Sequence, residues 1–376
     1  MKILIFYASY GGGHFNAAKS LCQYIQDTYT KENVEVEMID AVKYVNKAIE
    51  KVTATTYRIV SENIPWVWGR FYEDSQKRIF THLTSRSNVM LALKLAKLLN
   101  QKKPDIVIST HPLGSQMCSY LKRKNKVNFK LATILTDFES HDQWLIGHED
   151  GDCFFVSHNK MKERLVSKGV LEKKIFVTGI PVSNRFLQDY DKAKILSEYS
   201  FTPDKKTLLF FGRGSDGLLK SHLTETFKSF VANCSSMQII AVTGNNNEDT
   251  KSKFEEVVRD YNAFDRVKVL GFSNQIPELM HISDLVVTKP GGLTVTESLV
   301  SHLPLILINP FPGQEEENAR ILELTGSAIW IRKSDDVDDI ISLLMSGQIN
   351  LDSMRENAIK FAKPNSCRDI CDILLK

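Results

Sequence analysis

Short apolar runs rich in β-branched residues alternate with helix-period stretches along nearly the whole chain, and this alternation restricts the fold more than any other feature. A strand that returns through a helix to a parallel neighbour is the βα unit, so the chain reads as α/β with parallel sheets. Six runs in the first half predict strands at Ile3 to Ala8, Val34 to Ile39, Asp105 to Ser109, Leu131 to Leu135, Cys153 to Val156 and Ile175 to Val177. Six more follow at Thr207 to Phe211, Met237 to Val242, Val267 to Leu270, Leu285 to Thr288, Leu305 to Ile308 and Ala328 to Ile331. Between the two sets lie Gly179-Ile180-Pro181 and the charged stretch Asp189 to Lys206, in which Pro203 opposes a continuous helix. The linker is placed near 182–204, with one domain over residues 1–185 and another over 186–376. Two Rossmann-like, doubly wound domains facing a central cleft are expected, with ligands beyond the carboxyl ends of the strands. The final segment, Ser353 to Lys376, reads as one or two helices broken at Pro364-Asn365, the last able to cross back to the first domain.

A chain of 376 residues that is 43% hydrophobic and 25% charged is long enough for two cores and excludes disordered and fibrous classes. Its formal charge of +3 is too small a surplus for a protein held to nucleic acid by overall charge. The charge is uneven: residues 41–103 carry twelve cations and four acids, so the remainder is net acidic. The six cysteines form no CxxC pair and are expected as reduced thiols of a cytoplasmic protein. The opening Lys2-Ile-Leu-Ile-Phe-Tyr-Ala-Ser run is short for a signal peptide, and no cleavage site follows. Nor does any uninterrupted apolar stretch approach the roughly eighteen residues of a spanning helix, so membrane contact is expected to be peripheral.

Three segments of the second half carry chemistry. An apolar strand ends at Lys289, Pro290-Gly291-Gly292 makes a turn, and a helix starts near Leu293. Glycines there admit a phosphate close to the backbone, and free N–H groups at a helix start favour an anion such as a diphosphate. Glu297 lies about one turn into that helix, where a carboxylate suits two adjacent ribose hydroxyls. Pro310-Phe-Pro-Gly-Gln-Glu-Glu-Glu-Asn318 follows the next strand, and Gln314, Glu315 and Asn318 offer mixed donors and acceptors for a ring of hydroxyls. The loop Phe211-Gly212-Arg213-Gly214-Ser215-Asp216-Gly217 is rich enough in glycine to cover phosphates with N–H groups.

In the first half, Gly11-Gly12-Gly13-His14 follows the first strand and precedes the amphipathic stretch Phe15 to Asp27. A histidine at a helix start is favoured in its neutral form and is suited to take a proton from an alcohol. His111 and Asp137 fall at two further strand ends of the same half and are expected to face the same cleft. Each also has a plain structural reading, a buried histidine and a capping aspartate.

The runs Thr288 to Glu297 and Pro312 to Asn318, with Gly11-Gly-Gly-His14, resemble the monogalactosyldiacylglycerol synthase family of GT-B glycosyltransferases, most nearly the bacterial processive diacylglycerol glucosyltransferases. The glycine-histidine motif is shared more widely, including with the peptidoglycan GlcNAc transferase. The resemblance implies a GT-B fold and a metal-independent, cofactor-free, inverting transfer from a UDP-sugar to a lipid hydroxyl. It assigns Gly291, Gly292 and Thr294 to the diphosphate, and the glycine-rich loop adds Gly212, Gly214 and Ser215 to the donor side on its own composition. Glu297 goes to the ribose, Phe272 lies near the uracil, and Gln314, Glu315 and Asn318 meet the donor sugar or adjoining diphosphate. On the acceptor side it matches His14 and Asp137, either of them the base, while Gly12, Gly13 and His111 are placed there by their position at the same strand ends.

That resemblance gives the basic segment a use. Ile64-Pro-Trp66-Val-Trp68-Gly-Arg70-Phe71-Tyr72, followed by Lys77, Arg78 and Arg86, mixes aromatic rings with cations. Aromatic rings favour the headgroup level and cations favour anionic lipid, so residues 41–103 are expected to attach to the inner face of the cell membrane. Competing readings are a polyprenyl diphosphate or other hydrophobic acceptor, a UDP-GlcNAc epimerase on the same fold, and a non-catalytic sugar-nucleotide sensor. Donor sugar, number of sugars added and oligomeric state are not specified by the sequence.

Overall fold

The computed structural model describes residues 1–9, 12–45, 92–212, 218–245, 247–332 and 335–376, and all twelve expected strands are found within them. In the first lobe β1 (Lys2–Tyr7), β2 (Glu35–Asp40), β3 (Ile106–Ser109), β4 (Lys130–Ile134), β5 (Cys153–Val156) and β6 (Ile175–Val177) pair in the order β2-β1-β3-β4-β5-β6. In the second, β7 (Thr207–Phe211), β8 (Gln238–Val242), β9 (Val267–Leu270), β10 (Leu285–Thr288), β11 (Leu305–Leu307) and β12 (Ala328–Trp330) pair as β12-β11-β10-β7-β8-β9. Every pairing is parallel. The second order is that of a dinucleotide-binding sheet, its strand order reversing between β7 and β10. The first reverses between β1 and β3.

Parallel strands covered on both faces read as continuous apolar runs, and these do. Leu209, Ile240 and Val286 face one layer of helices while Leu208, Phe210, Ile239 and Leu285 face the other, as period-2 alternation requires. The first sheet divides in the same way, with Ile3, Ile5 and Ile108 on one face and Leu4, Phe6 and Val107 on the other.

Six helices position the cleft. They are α1 (Gly13–Thr28), α2 (Pro112–Arg123), α3 (Gly292–Val300), α4 (Gln314–Leu324), α5 (Leu351–Phe361) and α6 (Ser366–Leu375). The break between α5 and α6 falls at Pro364-Asn365, and Cys367, Ile370, Cys371 and Leu374 of α6 then bury against Leu21, Cys22 and Ile25 of α1. Residues between the two sheets are folded: a short turn Asn184–Leu187 and a helix Lys192–Glu198 lay Phe186, Leu196 and Phe201 on the second lobe's core.

Strand register brings the motif-bearing loops together. Ser109 of β3 lies opposite Thr133 of β4, which aligns the loops carrying His111 and Asp137. Thr288 of β10 lies opposite Leu307 of β11, which aligns Pro290–Gly292 with the loop that leads into α4. All six cysteines are buried and unpaired. No helix among the described residues is long and apolar enough to cross a membrane.

Candidate active site

Three helix starts converge where the lobes meet. Gly12 caps α1 with φ +64°, a left-handed conformation that suits glycine, and aims the first turn of α1 across the cleft. A Cβ built on Gly13 would lie 3.9 Å from the Cβ of Leu293 in α3. The approach is tighter still at Gly292, where a Cβ would stand 2.2 Å from the carbonyl oxygen of Thr136 and 3.0 Å from Oδ1 of Asp137. Only glycine allows α3 to begin against the first lobe at that distance. Gly291 caps α3, and the N–H groups of Gly292, Leu293 and Thr294 find no acceptor among the described residues, the first intrahelical bond being Val295 N–H to Gly291 O. An anion at this end meets three donors and the positive end of the helix dipole.

His14 stands at the second position of α1, and its ring is held from behind. Nδ1 lies 2.6 Å from the carbonyl oxygen of Thr110 and 2.9 Å from Oγ1 of Thr136. A carbonyl only accepts, so Nδ1 carries the proton and the lone pair is on Nε2. Nε2 has no protein partner among the described residues, and the residue is partly exposed. Burial pulls the imidazole down to about 4, against the raising effect of the Thr110 carbonyl, so the ring is neutral at physiological pH. His111 packs edge-on at 4.7 Å between ring centroids, and Trp144 and His141 complete the aromatic wall. His111 also caps α2, its Nδ1 accepting from the Leu113 N–H at 3.2 Å. Burial, then the neighbouring His14 and His141, hold His111 well below the ordinary histidine value.

Asp137 is buried where the lobes meet, against Gly292. Oδ2 accepts from Nε2 of Gln314, and Oδ1 accepts from Nδ2 of Asn318 at 3.3 Å. Both oxygens are thus engaged by the opposite lobe. Burial pushes the carboxyl up to about 6, and the Asn318 hydrogen bond pulls against that. Asn318 is fully buried, its Oδ1 accepting from the Phe138 N–H at 2.9 Å and its Nδ2 also donating to Pro290 O at 3.0 Å. The sequence reading gave Asn318 to the donor; its amide instead fastens one lobe to the other, because the lobes meet more closely here than spacing alone reveals. Gln314 shares that task. Glu315 braces its own loop, Oε2 accepting from the Phe311 N–H at 2.6 Å.

Glu297 lies half-buried on α3, and its carboxyl has no hydrogen-bond partner among the described residues. Burial pushes it up to about 8. Phe272 follows β9 and is 66% exposed, an unusual state for an aromatic ring at the carboxyl edge of a sheet. The N–H of Gly212 is bonded to Val242 O at 2.8 Å, so this glycine offers a phosphate no donor and closes the end of β7 instead. Gly11, Gly214 and Ser215 and most of the basic, aromatic segment, residues 46–91, lie outside the described residues. No cluster of three or more His, Cys, Asp or Glu suited to a metal ion occurs among the described residues.

Sequence reasoning missed Thr110, Thr136, His141 and Trp144. The two threonines do carry a signal, since each immediately precedes a residue singled out at a strand end. His141 and Trp144 sit by a short 3-10 turn, Asp142–Leu145, where no periodicity marks a side chain's direction.

The chain matches two family models: Monogalactosyldiacylglycerol (MGDG) synthase over residues 14–182, and the Glycosyltransferase family 28 C-terminal domain over residues 209–371. It is 32% identical to a processive diacylglycerol beta-glucosyltransferase of Bacillus licheniformis, across 97% of this chain and 92% of that protein. With the protein of that name from Bacillus subtilis it shares 29% identity, across 100% and 95%. Among solved structures it resembles MurG of Acinetobacter baumannii, with a TM-score of 0.62 and 13% identity over 100% of this chain and 99% of that one. It also resembles Anabaena Alr3699/HepE in complex with UDP and glucose, with a TM-score of 0.57 and 14% identity over 100% and 99%. At those identities the two structures speak for the fold alone.

Proposed function

We propose that this chain, which belongs to the monogalactosyldiacylglycerol synthase family of GT-B glycosyltransferases, moves a hexose from a UDP-sugar to the hydroxyl of diacylglycerol or of a glycosyl-diacylglycerol, with inversion at the anomeric carbon. The observation that carries this reading is a pair of complementary ends across one cleft: the unpaired first-turn N–H groups of α3, and the open Nε2 of His14.

Transfer then follows from the geometry. Nε2 of His14 takes the proton of the acceptor hydroxyl as its oxygen bonds to the anomeric carbon from the face opposite the nucleotide. The bond between that carbon and the β-phosphate oxygen breaks, and UDP leaves with the electron pair. The N–H groups of Gly292, Leu293 and Thr294 stabilise the charge as it develops, in the manner of an oxyanion hole. As written, the transfer uses no metal or cofactor. The imidazolium gives its proton to solvent before the next turnover. This scheme takes His14 as the base and Asp137 as a clasp between the lobes, bonded to Gln314 and Asn318. Glu297 receives the ribose hydroxyls and exposed Phe272 the uracil. The enzyme works at a membrane surface, where its acceptor resides.

Mixed micelles of diacylglycerol with radiolabelled UDP-glucose, UDP-galactose or UDP-GlcNAc test the reading. A labelled glycolipid from one donor is expected, with turnover lost in His14→Ala and UDP affinity kept. Transfer at the wild-type rate by His14→Ala, or conversion of the sugar nucleotide with no acceptor present, overturns it.

A further inference from the structure

Thr136 is 4% exposed, and the partner of its hydroxyl among the described residues is Nδ1 of His14, at 2.9 Å. Its carbonyl oxygen is the atom against which Gly292 of α3 is pressed. One residue thus touches the ring of the first lobe with its side chain and the helix start of the second with its backbone. Thr110, wholly buried, grips the same histidine twice: its carbonyl oxygen lies 2.6 Å from Nδ1, and its hydroxyl donates to the His14 carbonyl at 2.8 Å.

We propose that Thr136 is a positioning residue, whose hydroxyl joins the Thr110 carbonyl in holding the His14 proton on Nδ1 and so keeps the Nε2 lone pair turned to the cleft. Neutral imidazole in solution exchanges its proton between two nitrogens, and a base with the lone pair on the wrong side is inert. The Thr110 carbonyl selects that tautomer before any substrate arrives, and the Thr136 hydroxyl, as a second acceptor beside Nδ1, fixes the ring's angle. The same two oxygens then face a full positive charge once Nε2 takes up a proton, and hydrogen bonds to a charged group are the stronger ones. Because the Thr136 carbonyl abuts α3, the ring is set correctly only where the donor-binding helix seats against the first lobe.

This inference rests on the transferase reading, in which His14 is the base, and the test separates the two. Thr136→Val removes the hydroxyl at nearly constant shape, and Thr136→Ser restores it. Loss of one hydrogen bond to a developing charge predicts a fall in kcat of roughly tenfold for Thr136→Val, with KM for the UDP-sugar and calorimetric UDP affinity unchanged. Thr136→Ser is expected to stay near wild type. In protein labelled with 15N at the imidazole nitrogens, His14 should stay the Nδ1–H tautomer in all three proteins, held by the Thr110 carbonyl, while its Nδ1 resonance shifts in Thr136→Val and not in Thr136→Ser. A merely structural threonine would leave that signature unmoved. An unmoved Nδ1 resonance together with wild-type kcat in Thr136→Val overturns the proposal while leaving the transferase reading intact. Retention of turnover by His14→Ala sinks the reading itself, whatever Thr136→Val does.

Discussion

Binding of UDP should expel a proton from Glu297. The carboxyl sits half-buried on α3 with no hydrogen-bond partner among the described residues, and burial holds it near 8 in place of the ordinary 4.5. At pH 7 it is therefore about nine-tenths protonated in the free protein. Two ribose hydroxyls that donate to it favour the ionised form, so the complex holds a carboxylate, and close to one proton leaves for each UDP bound. Affinity then rises with pH, nearly tenfold per pH unit around pH 6 to 7, and levels off above about 8. The same group bears on stability with the opposite sign. Between 4.5 and about 8 the native state binds a proton more tightly than the unfolded chain, so stability declines as pH rises through that window. The full gap corresponds to about 5 kcal/mol, and partial solvent access brings it to roughly 2–3 kcal/mol. Calorimetric titration with UDP at pH 7, in two buffers of different ionisation enthalpy, counts the protons released. Glu297→Gln should bind UDP more weakly, release no proton from this site and be more stable than wild type at pH 9. UDP's own phosphate ionisation is common to both proteins and cancels in the difference. Equal proton release by Glu297→Gln and wild type would refute the assignment of Glu297 to the ribose.

Two further outcomes follow from the lobe contact and from the histidines. Gly292→Ala places a Cβ 2.2 Å from a backbone oxygen that cannot rotate away, so the lobes must part by about 1 Å. Displacement on that scale is expected to lower kcat about a hundredfold with UDP affinity largely kept, since the first-turn N–H groups remain; steady-state kinetics beside UDP titration checks it. His14 and His141 are held near 4, and His111 and His158 below 6.5, each chiefly by burial, so unfolding takes up protons between about 4 and 6.5. Stability gained as pH rises through that window outweighs the opposing drift of Asp137 and Glu297, and above 6.5 the Glu297 effect alone of these remains. Denaturant unfolding followed from pH 4 to 9 should show greatest stability near 6.5, whereas a steady decline from pH 4 contradicts the histidine burial.

Much of this molecule was legible because parallel strands buried on both faces announce themselves as apolar runs. Cys153 to Val156 and Thr207 to Phe211 needed no tertiary knowledge, and their ends fixed where loops, and so ligands, had to lie. The glycine-bearing helix starts were legible for the same reason, as punctuation after strands. What could not be read was the side on which each polar group finds its partner. Asp137 and Asn318 are 181 positions apart, and no local pattern states that the amide of one will bind the carboxylate of the other. Thr110 and Thr136 carried no signal beyond standing next to His111 and Asp137, since a threonine at a strand end is what β-propensity alone predicts.

The clasp also changes what the motif after β11 is for. Gln314 and Asn318 are four residues apart, and so share one face of α4, the face turned to Asp137. Glu315 points elsewhere and ties the loop at Phe311. A single helical turn thus divides its polar side chains between holding the lobes together and shaping the loop beside Gly291. Nε2 of Gln314 carries two N–H groups, so one can meet a donor hydroxyl while the other stays on Asp137, whereas Asn318 spends both of its own on Asp137 and Pro290. On the proposed reading Gln314 would meet the donor without letting go of Asp137, and the Asn318 contacts hold the lobes in register beside it.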